Sequence, residues 1–289
     1  MRYAAVDIGT NSCRLLITEI EGEQCRTLQR TMVTTRIGEG VDRLRMISPA
    51  AMERTVRGLR VLQEHITGCQ VERLRAVGTS ALREAINREE FVQRVRQELN
   101  WQVEVISGEE EARLSYLGVR RGLPLYRPPL VVDLGGGSTE FMLEDPHPWN
   151  VSLPIGAVRA AEKGMSDQQI SEVLQPLTNR FSALSYPMVA VGGTATTLVA
   201  MQRGLKEYDS LMVHGQKLTI DQVKYWRDHL SAMPLEERRQ VIGLQPERAD
   251  IIVPGLRILA LIMEQFGYKE MLVSESDILD GIIAQLCGN

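Results

Sequence analysis

The sequence predicts an α/β protein, because segments with strand character alternate with segments of helical periodicity along the chain. Three apolar, strand-like segments each run into a glycine-containing turn, at residues 9, 135–137 and 192–193. A proline-containing stretch at residues 124–129 favours extended chain and separates the first turn from the other two. We therefore predict two α/β lobes, residues 1–123 and residues 124–289.

The first lobe is predicted to begin with a hairpin, in which strands over residues 2–6 and 14–20 flank a polar turn. A helix follows Ser48 as N-cap and Pro49 as first helical residue, with apolar residues at steps of three and four. A strand over residues 74–77 comes next. A second helix over residues 88–99 has Asn87 as its cap and Glu90 close to a capping box. A short strand over residues 103–105 and a third helix that carries Glu109 complete the lobe.

The turn of the hairpin has a counterpart in the second lobe. In both places an apolar strand ends in aspartate, a glycine turn with hydroxyl side chains follows, and an apolar strand resumes. Asp7 and Asp133 hold the same position in these two segments, which suggests one structural unit used twice. Residues 188–191 then predict a third strand, followed by Gly192, Gly193 and Thr194 at the start of a helix, where free N–H groups favour an anion.

These turns favour phosphate binding, because backbone N–H groups can surround a phosphate closely where side chains are absent. The hydroxyl groups of Thr10, Ser12, Ser138 and Thr194 add donors. Asp7 and Asp133 at the strand ends could hold a hydrated Mg²⁺. A single turn such as Gly9 is more simply a tight turn, but three turns, two with a matched aspartate, favour a phosphate site.

Composition narrows the classes of function. The 289 residues carry a net charge of −4, so a nonspecific nucleic-acid binder is disfavoured and no nucleic-acid partner is predicted. The four cysteines form no Cys-x-x-Cys pair, which favours reduced thiols and a cytoplasmic location. The most apolar stretch, residues 251–263, is short and contains Pro254, Gly255 and Arg257, so no membrane association is predicted.

Residues 109–111 are three consecutive glutamates with two interpretations. Acidic residues suit the first turn of any helix, and one of them could instead activate a water for attack on phosphorus. Spacing alone leaves both open. Arginine matches phosphate oxygens in a bidentate manner, although a single arginine is more often part of a surface ion pair. The candidate arginines are Arg14, Arg36, Arg83 and Arg113.

Four motifs in this order resemble the exopolyphosphatase / guanosine pentaphosphate phosphohydrolase (Ppx/GppA) family. They are Asp-Ile-Gly-Thr-Asn-Ser-x-Arg-Leu from residue 7, Gly-Thr-Ser-Ala-Leu-Arg-Glu-Ala from residue 78, Ile-Ser-Gly-x-Glu-Glu-Ala-Arg from residue 106 and Asp-Leu-Gly-Gly-Gly-Ser-Thr-Glu from residue 133. The resemblance covers nearly the whole chain. It implies an actin/hexokinase-like (ribonuclease H-like) duplicated fold, whose two lobes each contain a mixed five-stranded sheet and flank a central cleft.

The resemblance also implies the chemistry. The expected reaction is Mg²⁺-assisted release of terminal phosphate from inorganic polyphosphate, or alternatively from guanosine pentaphosphate, and a homodimer is plausible. The implied catalytic residues are Glu111 as general base, Glu140 and Asp133, with Arg83 holding the substrate chain. The predicted metal ligands are Asp133, Glu140 and Asp7. The predicted phosphate-binding residues are Gly9, Thr10, Asn11, Ser12, Arg14, Arg83, Gly135, Gly136, Gly137, Ser138, Gly193 and Thr194.

The sequence departs from the family pattern near its end. Many members have Gly-Leu-Arg-Glu-Gly where this chain has Asp-Ile-Leu-Asp-Gly at residues 277–281, so an arginine contact is lost or moved. The length resembles members without additional C-terminal helical domains. Two other classes stay open: an ATP-dependent small-molecule kinase of the same fold, and a phosphate- or nucleotide-sensing module without turnover.

Overall fold

The computed structural model describes residues 1–22, 24–145, 147–178, 180–181 and 186–288. Contacts divide the chain into two compact units. The first contains Met1–Gly118 together with the segment that begins at Ile278, and the second contains Val119–Asp277. The division near residue 120 resembles the predicted boundary. The C-terminal segment differs from the prediction, which assigned residues 124–289 to one lobe.

The first unit is an α/β unit in which four of the five strands were predicted from the sequence and β3 was not. Its elements in chain order are β1 Arg2–Ile8, β2 Ser12–Glu21, β3 Gln24–Thr34, α1 Val41–Leu44, α2 Pro49–Gly68, β4 Arg73–Gly78, α3 Ser80–Glu84, α4 Arg88–Leu99, β5 Val103–Val105 and α5 Gly108–Gly122, which ends in the second unit. Among the described residues the strand order is β3-β2-β1-β4-β5. β1 pairs antiparallel with β2 and parallel with β4, so the predicted hairpin is confirmed.

Helix α2 shows how local signals place an element. Ser48 Oγ accepts a hydrogen bond from the Ala51 backbone N–H at 3.2 Å, and Pro49 is the first helical residue, as predicted. The apolar stripe of the helix is buried against one face of the sheet, together with Val6 and Ile8 of β1. Tyr3 and Ala5 point to the opposite face, as the period of two in a strand requires.

The predicted capping box of helix α4 is wrong. Helix α4 begins where predicted, but Asn87 makes no side-chain cap. Its amide instead binds both backbone groups of Ile47, accepting from N–H at 2.9 Å and donating to C=O at 3.0 Å. A partner 40 residues away therefore replaces the helix N–H as the hydrogen-bonding partner of this side chain.

The second unit has a larger sheet than predicted. Its elements are β6 Leu130–Leu134, β7 Thr139–Leu143, β8 Trp149–Leu153, α6 Ala157–Lys163, α7 Asp167–Thr178, β9 Met188–Val191, α8 Gly193–Arg203, α9 Ser210–Val213, β10 Lys217–Thr219, α10 Ile220–Ala232, α11 Leu235–Arg238, a 3₁₀ helix Pro246–Arg248, α12 Ile252–Gln265 and β11 Glu270–Val273. In the part of the chain that is described, the order is β10-β11-β9-β6-β7-β8. The expectation of five strands is corrected, because β10 adds antiparallel to the edge of β11.

The other five strands of the second sheet repeat the topology of the first. The order β8-β7-β6-β9-β11 matches β3-β2-β1-β4-β5, with the same sequence of antiparallel and parallel pairings. The duplication suggested by the two aspartate-glycine segments is therefore present in the strand connections.

The final helix, α13 Ile278–Leu286, explains the difference in the domain assignment. It packs on β1 in the first unit, where Ile278 and Ile282 are buried against Tyr3 and Leu114. Its Gly281 lies so close to the Leu114 backbone that a Cβ there would overlap the carbonyl. The apolar face of a helix does not indicate which sheet it covers, so the sequence could not assign it.

The most apolar stretch of the sequence, residues 251–263, lies largely in α12, which is buried in the core of the second unit. None of the helices in the described part of the chain combines the length and the apolar character needed to cross a bilayer.

Candidate active site

The first glycine turn, which we call loop 1 (residues 9–12), joins β1 to β2. The Gly9 N–H donates to the Ser12 carbonyl at 3.1 Å and closes the turn. Thr10, Asn11 and Ser12 are buried at 7–8% exposure, so polar groups are concentrated at the end of an otherwise apolar strand pair.

The carbonyl groups of loop 1 accept hydrogen bonds from residues 35–38. Asn11 O accepts from the N–H groups of Thr35 and Arg36, at 3.1 and 2.8 Å, and Thr10 O accepts from Gly38 N–H at 3.0 Å. Within residues that the structure describes, the N–H groups of Thr10 and Asn11 donate to no other residue. The loop therefore has its acceptors satisfied and backbone donors left for an anion.

Arg54 holds this supporting segment in place. It donates to the carbonyls of Thr35 and Arg36, at 2.5 and 3.1 Å, and to Glu39 Oε2 at 2.7 Å. A Cβ at Gly38 would overlap Thr10, so the close approach requires glycine. Arg54 could not be predicted from the sequence, because nothing in the pattern of an amphipathic helix marks an arginine that binds distant carbonyls.

Asn11 is 7% exposed, and neither the oxygen nor the nitrogen of its buried side-chain amide has a hydrogen-bond partner among the described residues. Buried amides are normally paired, since an unpaired one costs about 1–3 kcal/mol. An amide at this position supports its predicted role as an anion ligand.

The second glycine turn, loop 2 (residues 135–138), joins β6 to β7 with the same closure. The Gly135 N–H donates to the Ser138 carbonyl at 3.0 Å. The N–H groups of Ala157, Val158 and Arg159 donate to the carbonyls of Gly135 and Gly136, at 2.8–3.1 Å. In the described part of the structure the N–H groups of residues 136–138 have no protein acceptor. The N-terminus of α6 thus replaces residues 35–38 as the support.

Two further residues brace loop 2 and were missed by sequence analysis. Arg159 is buried and donates from Nε to the Gly137 carbonyl at 2.6 Å. Burial lowers the pKa of its guanidinium below the usual value. A Cβ at Gly156 would overlap the backbone of Gly136 and lie 2.7 Å from the Gly137 carbonyl carbon. A glycine just before a helix was the available signal in the sequence.

The two hairpins differ in charge at equivalent positions. In the first, Asp7 is the register partner of Arg14, which donates to Asp7 Oδ2 from Nε at 3.0 Å and from Nη2 at 2.6 Å. In the second, Asp133 is the register partner of Glu140. Both carboxylates are buried, at 8% and 1% exposure, and Ser152 Oγ donates to Glu140 Oε1 at 2.7 Å. The second hairpin therefore carries the larger negative charge.

This charge difference bears on the predicted metal ligands. Cross-strand neighbours share one face of a sheet, so Asp133 and Glu140 offer two adjacent carboxylates. Mg²⁺ is usually held by one or two carboxylates plus water and substrate phosphate, which this pair fits. Asp7 fits less well, since Arg14 already offsets its charge. Among the described residues, no group of three or more His, Cys, Asp or Glu is gathered for a metal.

The structure separates the three consecutive glutamates at the start of α5. Glu109 is exposed, and Glu110 forms an ion pair with Arg113 at 2.9 Å. The hydrogen bond from Arg113 holds the pKa of Glu110 below its usual value. Glu111 is more buried, with its side chain 13% exposed, and its Oε2 accepts from Arg83 Nη1 at 2.5 Å. The structure therefore brings together two predicted site residues, Glu111 and Arg83.

Loop 3 (residues 192–194) lies beside the end of β6. Gly192 has φ +97°, and a Cβ there would overlap the Leu134 carbonyl and approach Asp133 Oδ1. Gly193 begins α8, as predicted, and is covered by the Arg248 guanidinium. Thr194 is buried at 5% exposure. Loops 2 and 3, which are more than 50 residues apart in sequence, are thus neighbours in the second unit.

Residues 277–281, which depart from the family pattern, are structural here. Leu279 is buried in the first unit, and Asp280 Oδ2 accepts from Arg30 Nη2 of β3 at 2.7 Å. Leu279 thus occupies the place of the family arginine as a core residue.

The chain is similar to known proteins over nearly its whole length. Residues 16–289 match the model of the Ppx/GppA phosphatase family. Exopolyphosphatase 2 of Mycobacterium tuberculosis is 34% identical over 315 residues, and the match covers 99% of both chains. The bifunctional 3-dehydroquinate synthase/phosphatase of Fusobacterium nucleatum is 32% identical, but the match covers 98% of this chain and only 46% of that protein.

A solved structure shows the same fold. The Aquifex aeolicus member of the Ppx/GppA family is 32% identical, with a TM-score of 0.81 and coverage of 99% of this chain and 97% of that chain. Together with the repeated strand order, this confirms the predicted α/β, actin/hexokinase-like fold. The predicted resemblance and the phosphatase class of enzyme that it implies are confirmed as well.

Proposed function

The chain belongs to the Ppx/GppA phosphatase family, and from this premise we propose that it releases terminal orthophosphate from inorganic polyphosphate. The observation that carries the proposal is the pair of equivalent loops. In each, other backbone N–H groups bind the loop carbonyls, and loop N–H groups are left as donors. The match to an exopolyphosphatase over 99% of both chains supports polyphosphate as the substrate.

Each loop would bind phosphate oxygens of the substrate and stabilise their negative charge. Backbone N–H groups of both loops, the Asn11 amide and the hydroxyl groups of Thr10, Ser12 and Ser138 are the proposed donors. Donors fixed in advance cost no reorganisation during the reaction, which makes this form of stabilisation effective. Gly193 and Thr194, at the start of α8, are proposed to add a further phosphate contact.

Glu111 is the proposed general base. Its carboxylate would accept a proton from a water, whose oxygen attacks the terminal phosphorus as the bond from that phosphorus to the bridging oxygen breaks. The bridging oxygen leaves with the electron pair on the shortened chain, and orthophosphate is released. Arg83 orients Glu111 through the 2.5 Å hydrogen bond and is proposed to contact the substrate chain too. Glu140 is proposed to assist Glu111 in this catalysis.

Mg²⁺ is the proposed cofactor, held by Asp133 and Glu140, with Asp7 as the weaker candidate. When bound, Mg²⁺ would neutralise negative charge on the substrate phosphate. The homodimer and the cytoplasmic location stay predictions.

The test is phosphate release from long-chain polyphosphate, and in parallel from guanosine pentaphosphate, in the presence of Mg²⁺. We expect Glu111→Gln to lower release from polyphosphate by about two to four orders of magnitude, because a general base contributes that much. Glu109→Gln is the matched control, since it makes the same chemical change at an exposed neighbour and should release phosphate at the wild-type rate.

The remaining outcomes separate the alternatives. Release from the nucleotide alone would change the substrate and keep the mechanism. Consumption of ATP that depends on a second substrate would indicate a kinase. Phosphate binding without release under any condition would leave only a sensing module.

A further inference from the structure

The first unit contains a pocket of about 450 Å³ beside the Arg83–Glu111 ion pair. Its wall is formed by the start of α4, by β5 and by the residues that lead into α5. This volume lies within the range of pockets that hold small organic molecules.

One side of the pocket is apolar. Val92 of α4 and Val103 and Val105 of β5 contribute branched side chains. Val92 and Val105 are only partly buried, so apolar surface is available to a ligand. Inorganic phosphate and a polyphosphate chain have no apolar atoms with which to cover this surface. A ligand that uses the whole pocket must therefore have an apolar part.

The other side of the pocket carries two guanidinium groups, from Arg83 and Arg88. Arg83 Nη1 donates to Glu111 and, at 3.3 Å, to the Ile106 carbonyl. Arg88 donates from Nη1 to the Arg83 carbonyl at 3.3 Å, and its Nε makes a looser ion pair with Glu89 at 3.5 Å, in which the side chains are 44% and 71% exposed. An exposed pair of this kind contributes little, so a better anion can replace Glu89 as the partner of Arg88.

We propose that this pocket binds a small phosphate monoester or phosphonate whose organic part is an apolar ring. The head group would pair with Arg88 and Arg83, because guanidinium matches phosphate oxygens in geometry and charge. The ring would lie against Val92 and Val105. Nothing in this proposal requires the phosphate of the ligand to be transferred.

A consequence for activity follows from Arg83, which lines the pocket and also contacts Glu111. A ligand head group that accepts a hydrogen bond from Arg83 competes with the Glu111 carboxylate for the Arg83 guanidinium. The ligand should therefore inhibit hydrolysis. This consequence rests on the proposed function, whereas the binding itself does not.

The test compares two probes with one head group, phenylphosphonate and methylphosphonate, by titration calorimetry without substrate. The carbon–phosphorus bond prevents hydrolysis of either probe. We expect the phenyl compound to bind wild-type protein about tenfold more tightly, since covering a ring excludes additional apolar surface from water. Arg88→Gln should weaken binding of both probes at this pocket, and Val92→Gln should remove most of the advantage of the phenyl compound.

Two matched controls make the comparison specific. Arg96→Gln alters another exposed arginine of α4, and Val61→Gln alters an exposed valine of α2. Both should bind the two probes as the wild type does. Equal affinity of the two probes for wild-type protein, or wild-type affinity of Arg88→Gln and Val92→Gln for phenylphosphonate, would overturn the proposal. The binding measurement involves no turnover. It therefore tests the ligand site even if the proposed hydrolysis is not observed.

Discussion

Asn11 and Asn87, two asparagines of the first unit, have different roles. Asn87 uses both ends of its amide to join α4 to Ile47. Asn11 is buried at the tip of a hairpin, and its amide binds nothing in the described part of the chain. A group that costs stability without a protein partner is expected at a binding site, where a ligand supplies the partner.

We predict that Asn11→Ala leaves the free energy of unfolding within about 1 kcal/mol of wild type, because no protein hydrogen bond is lost. Phosphate affinity should fall about tenfold or more, since hydrogen bonds to charged groups contribute about 1.5–3 kcal/mol. Chemical denaturation and calorimetry with orthophosphate would measure the two effects.

Asn87→Ala is the matched control for Asn11→Ala. It should lower stability by about 1–3 kcal/mol, because two backbone groups lose their partner, and should leave phosphate affinity unchanged. A large loss of stability in Asn11→Ala with unchanged phosphate affinity would show that Asn11 is structural.

Cys13 lies next to loop 1 and gives a prediction about pH. Burial raises the pKa of its thiol to about 12; the hydrogen bond with Thr35 opposes this rise, and the charge of Asp7 adds a smaller increase. The folded state therefore keeps a proton that the unfolded state loses above its ordinary pKa near 9. The contribution of the Cys13 thiol to the free energy of unfolding is therefore fully present below pH 9 and is lost as the pH rises towards 12.

We predict that the stability difference between wild type and Cys13→Ala shrinks between pH 9 and 12, by up to about 1.4 kcal/mol per pH unit. Denaturation at several pH values measures this, with Cys25→Ala as the control, because Cys25 is exposed. A difference that stays constant over this range would contradict the assignment.

The two hairpins show that one element can be supported in two ways. Residues 35–38, fastened by Arg54, bind the carbonyls of loop 1, whereas the N-terminus of α6 binds those of loop 2. In both arrangements the supporting segment binds the loop carbonyls, and the N–H groups of residues 10–11 and 136–138 have no protein acceptor among the described residues. The support of loop 2 depends on Gly156, whose close contact with the loop is with backbone atoms that cannot rotate away.

We predict that Gly156→Ala lowers stability by about 1–3 kcal/mol, the usual cost of overpacking, and weakens phosphate binding by displacing loop 2. Gly164→Ala is the matched control at the other end of α6. Gly164 has φ +59° and no neighbour within 4 Å of a Cβ, so only a backbone cost of about 1 kcal/mol is expected. Equal effects of the two substitutions on phosphate binding would refute the supporting role of Gly156.

The whole molecule is organised so that the last helix completes the first unit. Helix α13 packs on β1, at the other end of the sequence, and contributes to the apolar cluster on one face of that sheet. The chain therefore cannot finish its first unit until its C-terminal residues are available, which is a long-range contact of the kind that slows folding.

We predict that Ile282→Ala lowers the stability of the first unit by about 2–5 kcal/mol, the usual cost of truncating a buried isoleucine. Hydrogen exchange should become faster in β1. Ile262→Ala, at an equally buried position of α12, should instead accelerate exchange in β6. Acceleration in β6 and not β1 with Ile282→Ala would contradict the assignment of α13.

Much of the site could be predicted from the sequence, because its signals are local. A glycine turn between apolar strands, a serine before a proline at a helix start and the order of four motifs each lie within a few residues. These signals placed loops 1, 2 and 3 and helix α2. They also suggested the duplication, since the same short pattern occurs twice.

The rest required tertiary structure, because it depends on contacts between residues far apart in the chain. No local sequence pattern predicts the sixth strand of the second sheet or the contact of Asn87 with Ile47. The same holds for the ion pair of Arg30 with Asp280, which are 250 residues apart. Spacing left Glu109, Glu110 and Glu111 equivalent, and only the contacts with Arg113 and Arg83 distinguish them. The sequence by itself determined the three glycine loops, the strands that lead into them and helix α2. Tertiary structure alone decided the strands that the sequence did not predict, such as β3 and β10, and which distant side chains support the loops, because periodicity specifies that a face is buried and not what covers it.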